Sequence, residues 1–136
     1  MLNDTRIDAT IPVVDVSRAR RFYRDTLKLK EITPPDVDPK MAEDNAMFQV
    51  GDCSRFLLFK RPHRSKAEHT IAVFTVKDLE TTMEELRGRG VRFEQYDLPN
   101  LKTDERGIVD QDGMKAAWFK DSEGNILGVS EMVWLN

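Results

Sequence analysis

The chain has 136 residues and a formal net charge of −3, the size of one domain. Its 40% hydrophobic and 33% charged residues exclude a disordered chain, and no apolar run reaches the ~18 residues that a membrane-spanning helix needs. The single cysteine excludes an intrachain disulfide and a cysteine-cluster zinc site, and the acidic balance argues against a nucleic-acid partner. Since the start of the sequence shows no signal-peptide pattern, we expect a cytoplasmic protein.

The first half of the sequence predicts the order strand, helix, strand, strand, strand. Residues 7–14 are apolar but include Pro12, which predicts an edge strand or a bulge because proline has no amide hydrogen to donate. Apolar residues at helical spacing predict a helix over about residues 17–26, capped by Asp15 or Ser17. The other predicted segments are a strand at 29–33, a loop at 34–39, strands at 46–50 and 55–59, and a polar linker at about 61–68.

The second half predicts the same order again. The predicted segments are a strand at 70–76, a helix from Asp78 to about Gly90, a strand at 91–96, a polar loop at 97–113, and strands at 115–120 and 126–134. A shift of 63 positions matches Asp15 to Asp78 and places Tyr23 on Leu86. The sequence therefore predicts two copies of a βαβββ unit. A loop as long as 97–113 is often a lid or a binding loop, so we expect it to cover a substrate or to be solvated.

Several motifs carry a family resemblance. They are IPVVD at 11–15, ARRFYRDTL at 19–27, FTVKDL at 74–79, LRGRGV at 86–91 and AWFKDSEGNIL at 117–127. With them the chain resembles the vicinal oxygen chelate superfamily, which includes glyoxalase I, bleomycin-resistance proteins and extradiol dioxygenases. Two departures are Lys28, where the family often has glycine, and Ser122, where it often has proline.

The resemblance implies a fold as well as a way of assembling. The expected fold is α+β, with two βαβββ modules forming a curved mixed β-sheet around a cavity and helices on the outer face. Residues 1–136 would then be a single domain, with module 1 at about 5–60, the linker at about 61–68 and module 2 at about 69–136. Homodimers are expected from the same resemblance.

Metal-dependent members of that superfamily place histidine, glutamine or glutamate on the first and last strand of each module. The resemblance puts these positions at Asp8, Leu57, Ile71 and Gly128. Only Asp8 offers a side-chain donor, whereas zinc and similar ions take three or four protein ligands. We therefore expect no metal or other cofactor, and we expect Asp8 either to have a raised pKa in a dry cavity or to pair with a cation such as Arg6.

The predicted ligand-binding residues come from the strands that would face the cavity. They are Asp8, Thr10, Phe48, Leu57, Phe59, His69, Ile71, Trp118 and Gly128. The strand aromatics are Phe48, Phe59, Phe74, Trp118, Phe119 and Trp134; we expect some of them in the core and at least one in the cavity. No catalytic residue is predicted.

Three functions remain open from the sequence. The first is metal-free binding of a small apolar or aromatic molecule, as in the drug-sequestering members that the resemblance implies. The second is a metal-dependent lyase, isomerase or dioxygenase with displaced ligands, for example Asp8, His69 and Glu131. The third is a partner-binding module without a small-molecule ligand. The missing donors favour the first.

Overall fold

The computed structural model describes residues 1–132, and the chain divides into two compact units. The first unit is Met1–Ser65 and the second begins at Lys66, so the boundary falls inside the predicted linker. Both units are mixed α+β, and each has its own four-stranded sheet. Among the described residues, no helix is long and apolar enough to cross a membrane.

The first unit contains four strands and two short helices. Its elements are β1 (Ala9–Val13), α1 (Val16–Arg21), β2 (Lys30–Ile32), α2 (Pro39–Asp44), β3 (Asn45–Val50) and β4 (Ser54–Lys60). A 3-10 turn at Leu2–Asp4 precedes β1, and α1 continues as a π-helix over Phe22–Thr26. The strand order is β1-β4-β3-β2, with β1 parallel to β4 and the other neighbours antiparallel. The edge position of β1 confirms the prediction from Pro12.

One face of this sheet packs against α1 and forms the core of the first unit. The buried strand residues alternate along the chain and are Ile11, Val13, Ala46, Phe48, Phe56 and Leu58. Tyr23 is fully buried over them, with its ring centroid 5.9 Å from that of Phe48 and 5.2 Å from that of Phe56. Of the two predicted caps, Asp15 and Ser17, it is Asp15 that caps α1, by accepting a hydrogen bond from the amide of Arg18 at 3.0 Å.

The second unit repeats this plan and adds a pair of very short strands. Its elements are β5 (Thr70–Thr75), α3 (Leu79–Gly88), β6 (Asp97–Leu98), β7 (Leu101–Lys102), β8 (Val109–Gln111), β9 (Met114–Lys120) and β10 (Ile126–Met132). The strand order is β5-β10-β9-β8, with β5 parallel to β10. Leu79, Met83 and Leu86 of α3 are buried, and Asp78 caps the helix at the amide of Thr81.

The prediction of a strand at residues 91–96 is wrong. This segment makes one isolated bridge, from Phe93 to Phe119, and the amide of Glu94 donates to the carbonyl oxygen of Trp118 at 2.7 Å. The chain then leaves β9, because the amide of Tyr96 donates to Thr103 Oγ1 instead. The predicted loop at 97–113 holds the hairpin β6–β7 and the strand β8.

Two further differences concern a short helix and the chain end. Helix α2 is absent from the predicted elements, although Asp38 caps it and Pro39 occupies its first turn, a typical start signal. Trp134, predicted at the end of the last strand, lies outside the described residues.

Each unit turns with a left-handed residue after its first long helix. In the first unit this residue is Lys28, with φ of +59°, and in the second it is Gly90, with φ of +91°. Glycine adopts such angles at little cost, whereas a side chain is strained there. Lys28, the departure noted in the sequence, therefore places a strained residue where the family often has glycine.

Candidate functional site

The sheet face opposite α1 carries the candidate site of the first unit. Successive side chains of a strand point to opposite faces, so the neighbours of the buried residues point away from the core. Strand register aligns Thr10, Leu57, Met47 and Ile32 across β1, β4, β3 and β2. We call this set the apolar row; Leu57, Met47 and Ile32 in it are half-buried.

A cavity of about 240 Å³ lies at the β2 side of this sheet, and Leu57, Met47 and Ile32 of the apolar row line it. Its apolar lining includes Ile32, Pro34, Val37, Met41, Met47 and Leu57. These three residues supply the floor, whereas the segment from Pro34 through α2 supplies a wall. Arg20, Glu31 and Asn45 contribute polar groups to the lining. The arrangement suits a compact molecule with mainly apolar surface, because pockets of this kind bind through apolar contact and a few polar groups.

Arg20 ties the cavity wall to the rest of the unit. Its Nε donates to Glu31 Oε1 at 2.8 Å, and its Nη2 donates to the carbonyl oxygens of Ala42 and Asn45 at 3.0 and 3.3 Å. The side chain is only 24% exposed, so these bonds are shielded in part from water. Arg20 is therefore a positioning residue for α2, and α2 has no buried residue of its own.

A second row, polar in character, runs beside the apolar row. Arg55 of β4 is paired in register with Gln49 of β3, and Gln49 with Lys30 of β2. Asp8, just before β1, accepts through Oδ1 from Arg55 Nε at 3.2 Å and from Arg6 Nε at 3.0 Å. We call Asp8, Arg55, Gln49 and Lys30 the polar row. The predicted pairing of Asp8 with Arg6 is confirmed, and Arg55 is a second partner that the sequence did not indicate.

In the second unit, register places Val73, Gly128 and Trp118 side by side across β5, β10 and β9. A Cβ added at Gly128 would lie 3.4 Å from Trp118 Nε1 and 3.3 Å from Val73 Cγ2, so the glycine leaves room for the indole. The ring of Tyr96 contacts Trp118 edge to face, with centroids 5.7 Å apart. Burial raises the pKa of the Tyr96 phenol, and the nearby charge of Glu94 adds to that effect.

The donor set of the four family positions does not fit a metal ion. Asp8 already accepts from two guanidinium groups, whose positive charges oppose a bound cation. Leu57, Ile71 and Gly128 carry no side-chain donor.

The displaced set suggested by the sequence fits a metal no better. Glu131 Oε2 accepts from the amide of Leu79 at 2.9 Å and so serves the first turn of α3. His69 is exposed and immediately precedes β5. Among the described residues, no group of three or more histidine, cysteine, aspartate or glutamate side chains is arranged to hold a metal ion.

The structure separates the predicted ligand-binding residues into three groups. Asp8, Thr10, Leu57 and Phe59 share the open face of the first sheet, and of these Leu57 lines the cavity. The second group lies in the second unit and consists of His69, Ile71, Trp118 and Gly128. Phe48 points to the other face, where it is fully buried and its ring stacks 5.7 Å from that of Phe56. Phe48 is therefore a core residue and leaves the candidate set.

Several lining residues were missed from the sequence, namely Ile32, Val37, Met41 and Met47. Met47 and Ile32 become neighbours of Leu57 only through antiparallel pairing, which single-sequence patterns do not reveal. Met41 lies on α2, and the cap Asp38 followed by Pro39 is a helix start signal from which this helix could have been predicted.

Comparison with known proteins places this fold in a family. The sequence profile of the Glyoxalase/Bleomycin resistance protein/Dioxygenase superfamily matches residues 6–128. The chain has no significant match among curated proteins.

Solved structures resemble the chain over nearly its whole length. A glyoxalase family protein from Bacillus anthracis is 18% identical, with a TM-score of 0.68 over 97% of this chain and 99% of that one. TnmS3, an antibiotic binding protein from Streptomyces sp. CB03234, is 16% identical, with a TM-score of 0.63 over 95% and 98%. The fosfomycin resistance protein FosX from Mesorhizobium loti is 12% identical, with a TM-score of 0.62 over 97% and 95%. At these identities the likeness shows the fold alone.

Proposed function

The chain belongs to the Glyoxalase/Bleomycin resistance protein/Dioxygenase superfamily, and from that premise we propose that it binds a small apolar or aromatic molecule in its first unit without a metal ion. The observation that carries the proposal is the cavity lined by part of the apolar row. An antibiotic binding protein of the same fold supports a binding role, since the fold is compatible with ligand capture.

The size of the cavity limits the ligand. An apolar cavity of ~150 Å³ in another protein holds benzene, so about 240 Å³ has room for a larger ring system. Met41 and Met47 favour an aromatic guest, because the thioether sulfur makes favourable contacts with ring edges and the unbranched side chain adapts its shape. We therefore propose a compact molecule with one or two aromatic rings.

The metal-free part of the proposal rests on donor chemistry. Asp8 is the single donor at the four family positions, and it is held by Arg6 and Arg55. A ligand in the first unit would bind through apolar contact and the polar groups of the lining, with no Lewis acid needed.

Calorimetric titration of chelator-treated protein with 2-naphthylmethanol tests the proposal. We expect saturable binding at one site, unchanged when Zn²⁺, Ni²⁺, Mn²⁺ or Fe²⁺ is added. Met47→Trp should fill the cavity and reduce affinity at least tenfold. Val73→Trp is the matched control, because Val73 is 54% exposed in the second sheet and does not line the cavity, so its replacement should leave binding unchanged.

Either of two results would overturn the proposal. One is binding that appears only after a metal is restored, which would favour the metal-dependent lyase, isomerase or dioxygenase. The other is loss of binding in Val73→Trp while Met47→Trp still binds.

We also propose that the chain forms homodimers in the cytoplasm. Each four-stranded sheet ends in edge strands, β1 and β2 in the first unit and β5 and β8 in the second, and edges are commonly covered by pairing. The exposed free thiol of Cys53 suits a reducing compartment. Sedimentation at micromolar concentration should give about twice the 15.7 kDa chain mass, whereas a clean monomer would remove the proposal.

A further inference from the structure

The polar row lies two residues along the strands from the cavity floor, on the same face of the sheet. Arg55 precedes Leu57 by two residues on β4, so both side chains lie on the same face about 7 Å apart along the strand. A molecule bound over Leu57 can therefore extend one polar group to Arg55 without leaving the first unit.

The polar row has more positive than negative charge. Arg55 and Lys30 supply two cations, whereas Asp8 supplies the one carboxylate of the row and also pairs with Arg6 beside it. Lys30 is exposed, and Arg55 is 30% exposed. The excess positive charge beside an apolar cavity favours an anion over a neutral group or a cation.

The hydrogen-bond geometry leaves donors available. Both arginines contact Asp8 through Nε, and within residues 1–132 neither uses a terminal Nη atom in a hydrogen bond. A guanidinium presents its N–H groups as a planar fork that matches a carboxylate. Arg55 thus retains the side of its fork that a second carboxylate can use.

We propose that the ligand of the first unit is an aromatic carboxylate, whose ring lies in the cavity and whose carboxylate pairs with Arg55. This inference rests on the proposed function and adds the chemical class of the ligand. Asp8 competes for the same guanidinium, so it lowers the affinity for the anion.

A pair of isosteric probes separates the two proposals. 2-Naphthoate carries the charge, and 2-naphthylmethanol has the same rings without it. At low salt we expect the wild type to bind 2-naphthoate about tenfold more tightly than the alcohol, because a charge-assisted bond adds to the same apolar contact. High salt should weaken the binding of the carboxylate and leave that of the alcohol unchanged.

Variants then assign the effect to Arg55. Arg55→Gln should reduce 2-naphthoate affinity about tenfold and leave the alcohol unaffected. Asp8→Asn should raise 2-naphthoate affinity about threefold, since Arg55 is released from a competing charge. A folding defect cannot mimic that gain. Arg21→Gln is the charge-matched control: Arg21 is exposed on α1, and its loss should change neither affinity.

The outcomes distinguish the two failures. If the alcohol binds and 2-naphthoate binds no better, or if Arg55→Gln weakens both probes equally, the carboxylate inference is overturned and the cavity proposal stands. If neither probe binds the wild type, both are overturned.

Discussion

The two units carry different side chains in equivalent rows of their sheets. In the first unit, Thr10, Leu57 and Met47 stand side by side, and register gives Val73, Gly128 and Trp118 the corresponding places in the second. Two medium-sized side chains leave a cavity above them, whereas glycine beside tryptophan lets the indole lie against the backbone. The same two positions of the row therefore line a cavity in the first unit, as Leu57 and Met47, and pack against each other in the second, as Gly128 and Trp118.

The helix-facing sides of the two sheets are more alike, since both are buried. Truncation of their core residues should cause the largest loss of stability. Tyr23 is 0% exposed and Leu86, its counterpart in the repeat, is 8% exposed. Tyr23→Ala should lower the free energy of unfolding by about 3–5 kcal/mol and Leu86→Ala by about 2–5 kcal/mol. Phe22→Ala should cost about 1–2 kcal/mol, since Phe22 is half-buried rather than buried. Urea unfolding measures all three.

Tyr23 and its neighbours also show what the sequence could predict. The caps at Asp15 and Asp78 and the buried stripe through Tyr23 follow from short-range spacing, and the structure bears them out. A loss for Tyr23→Ala no larger than that for Phe22→Ala would contradict the packing described here.

Long-range features could not be predicted in the same way. Residues 8 and 55 are far apart in sequence, so the second partner of Asp8 depends on parallel pairing of β1 with β4. Phe48 was predicted to face the cavity but faces the helix, for a similar reason. Alternation along a strand separates two faces but does not say which face packs against a helix. Residues 91–96 have a strand-like composition, but hydrogen bonding to Thr103 ends their pairing with β9.

The next largest effect is expected when Gly128 and Trp118 of the second unit are replaced by the residues found at Leu57 and Met47 in the first. Gly128→Leu should destabilise the protein by about 1–3 kcal/mol, because even its Cβ would lie 3.4 Å from two atoms of Trp118. The double variant Gly128→Leu/Trp118→Met recreates the pair found at Leu57 and Met47 and should recover part of that loss. A thermodynamic cycle from urea unfolding gives the coupling. Strict additivity would show that Trp118 does not depend on the glycine.

Substitutions at the left-handed residues after α1 and α3 should have smaller effects on stability. Lys28→Gly should stabilise the first unit by about 1 kcal/mol, and Gly90→Ala should destabilise the second by a similar amount, since both positions have positive φ. A Cβ at Gly90 meets no atom within 4 Å, so strain is the only expected cost there.

Gly107→Ala is the control that adds a steric contact to the backbone strain tested by Gly90→Ala. Gly107 has the same φ of +91°, but its Cβ would lie 3.2 Å from the carbonyl oxygen of Glu94. It should therefore cost more than Gly90→Ala in thermal denaturation. Equal costs would show that residues 107 and 94 move apart freely.

The smallest expected effect is a pH dependence in the second unit. Hydrogen bonds from the amide of Ile108, and then those from Arg106, hold the pKa of Asp104 below its ordinary value. A depressed pKa in the folded state means that the stabilisation is present above the ordinary carboxyl pKa of about 3.9 and is lost as pH falls through the lower folded value. Because Asp104 is exposed, the effect should stay below about 1 kcal/mol.

Melting temperatures of the wild type and Asp104→Asn across the acid range measure this dependence. The difference between them should shrink as pH falls below about 4. Parallel curves would mean that the Asp104 carboxylate adds nothing as an ion.

The proposal that the first unit is the ligand-binding half can be read directly from methionine methyl resonances. The chain has six methionines, of which Met41 and Met47 line the cavity, whereas Met83 is a buried residue of α3 in the second unit. Chelator-treated protein with ¹³C-labelled methionine methyls is titrated with 2-naphthylmethanol. We expect saturating shifts at Met41 and Met47 while Met83 and Met114 stay unchanged. Shifts confined to Met83 or Met114, or shifts that need an added metal ion, would contradict the proposal.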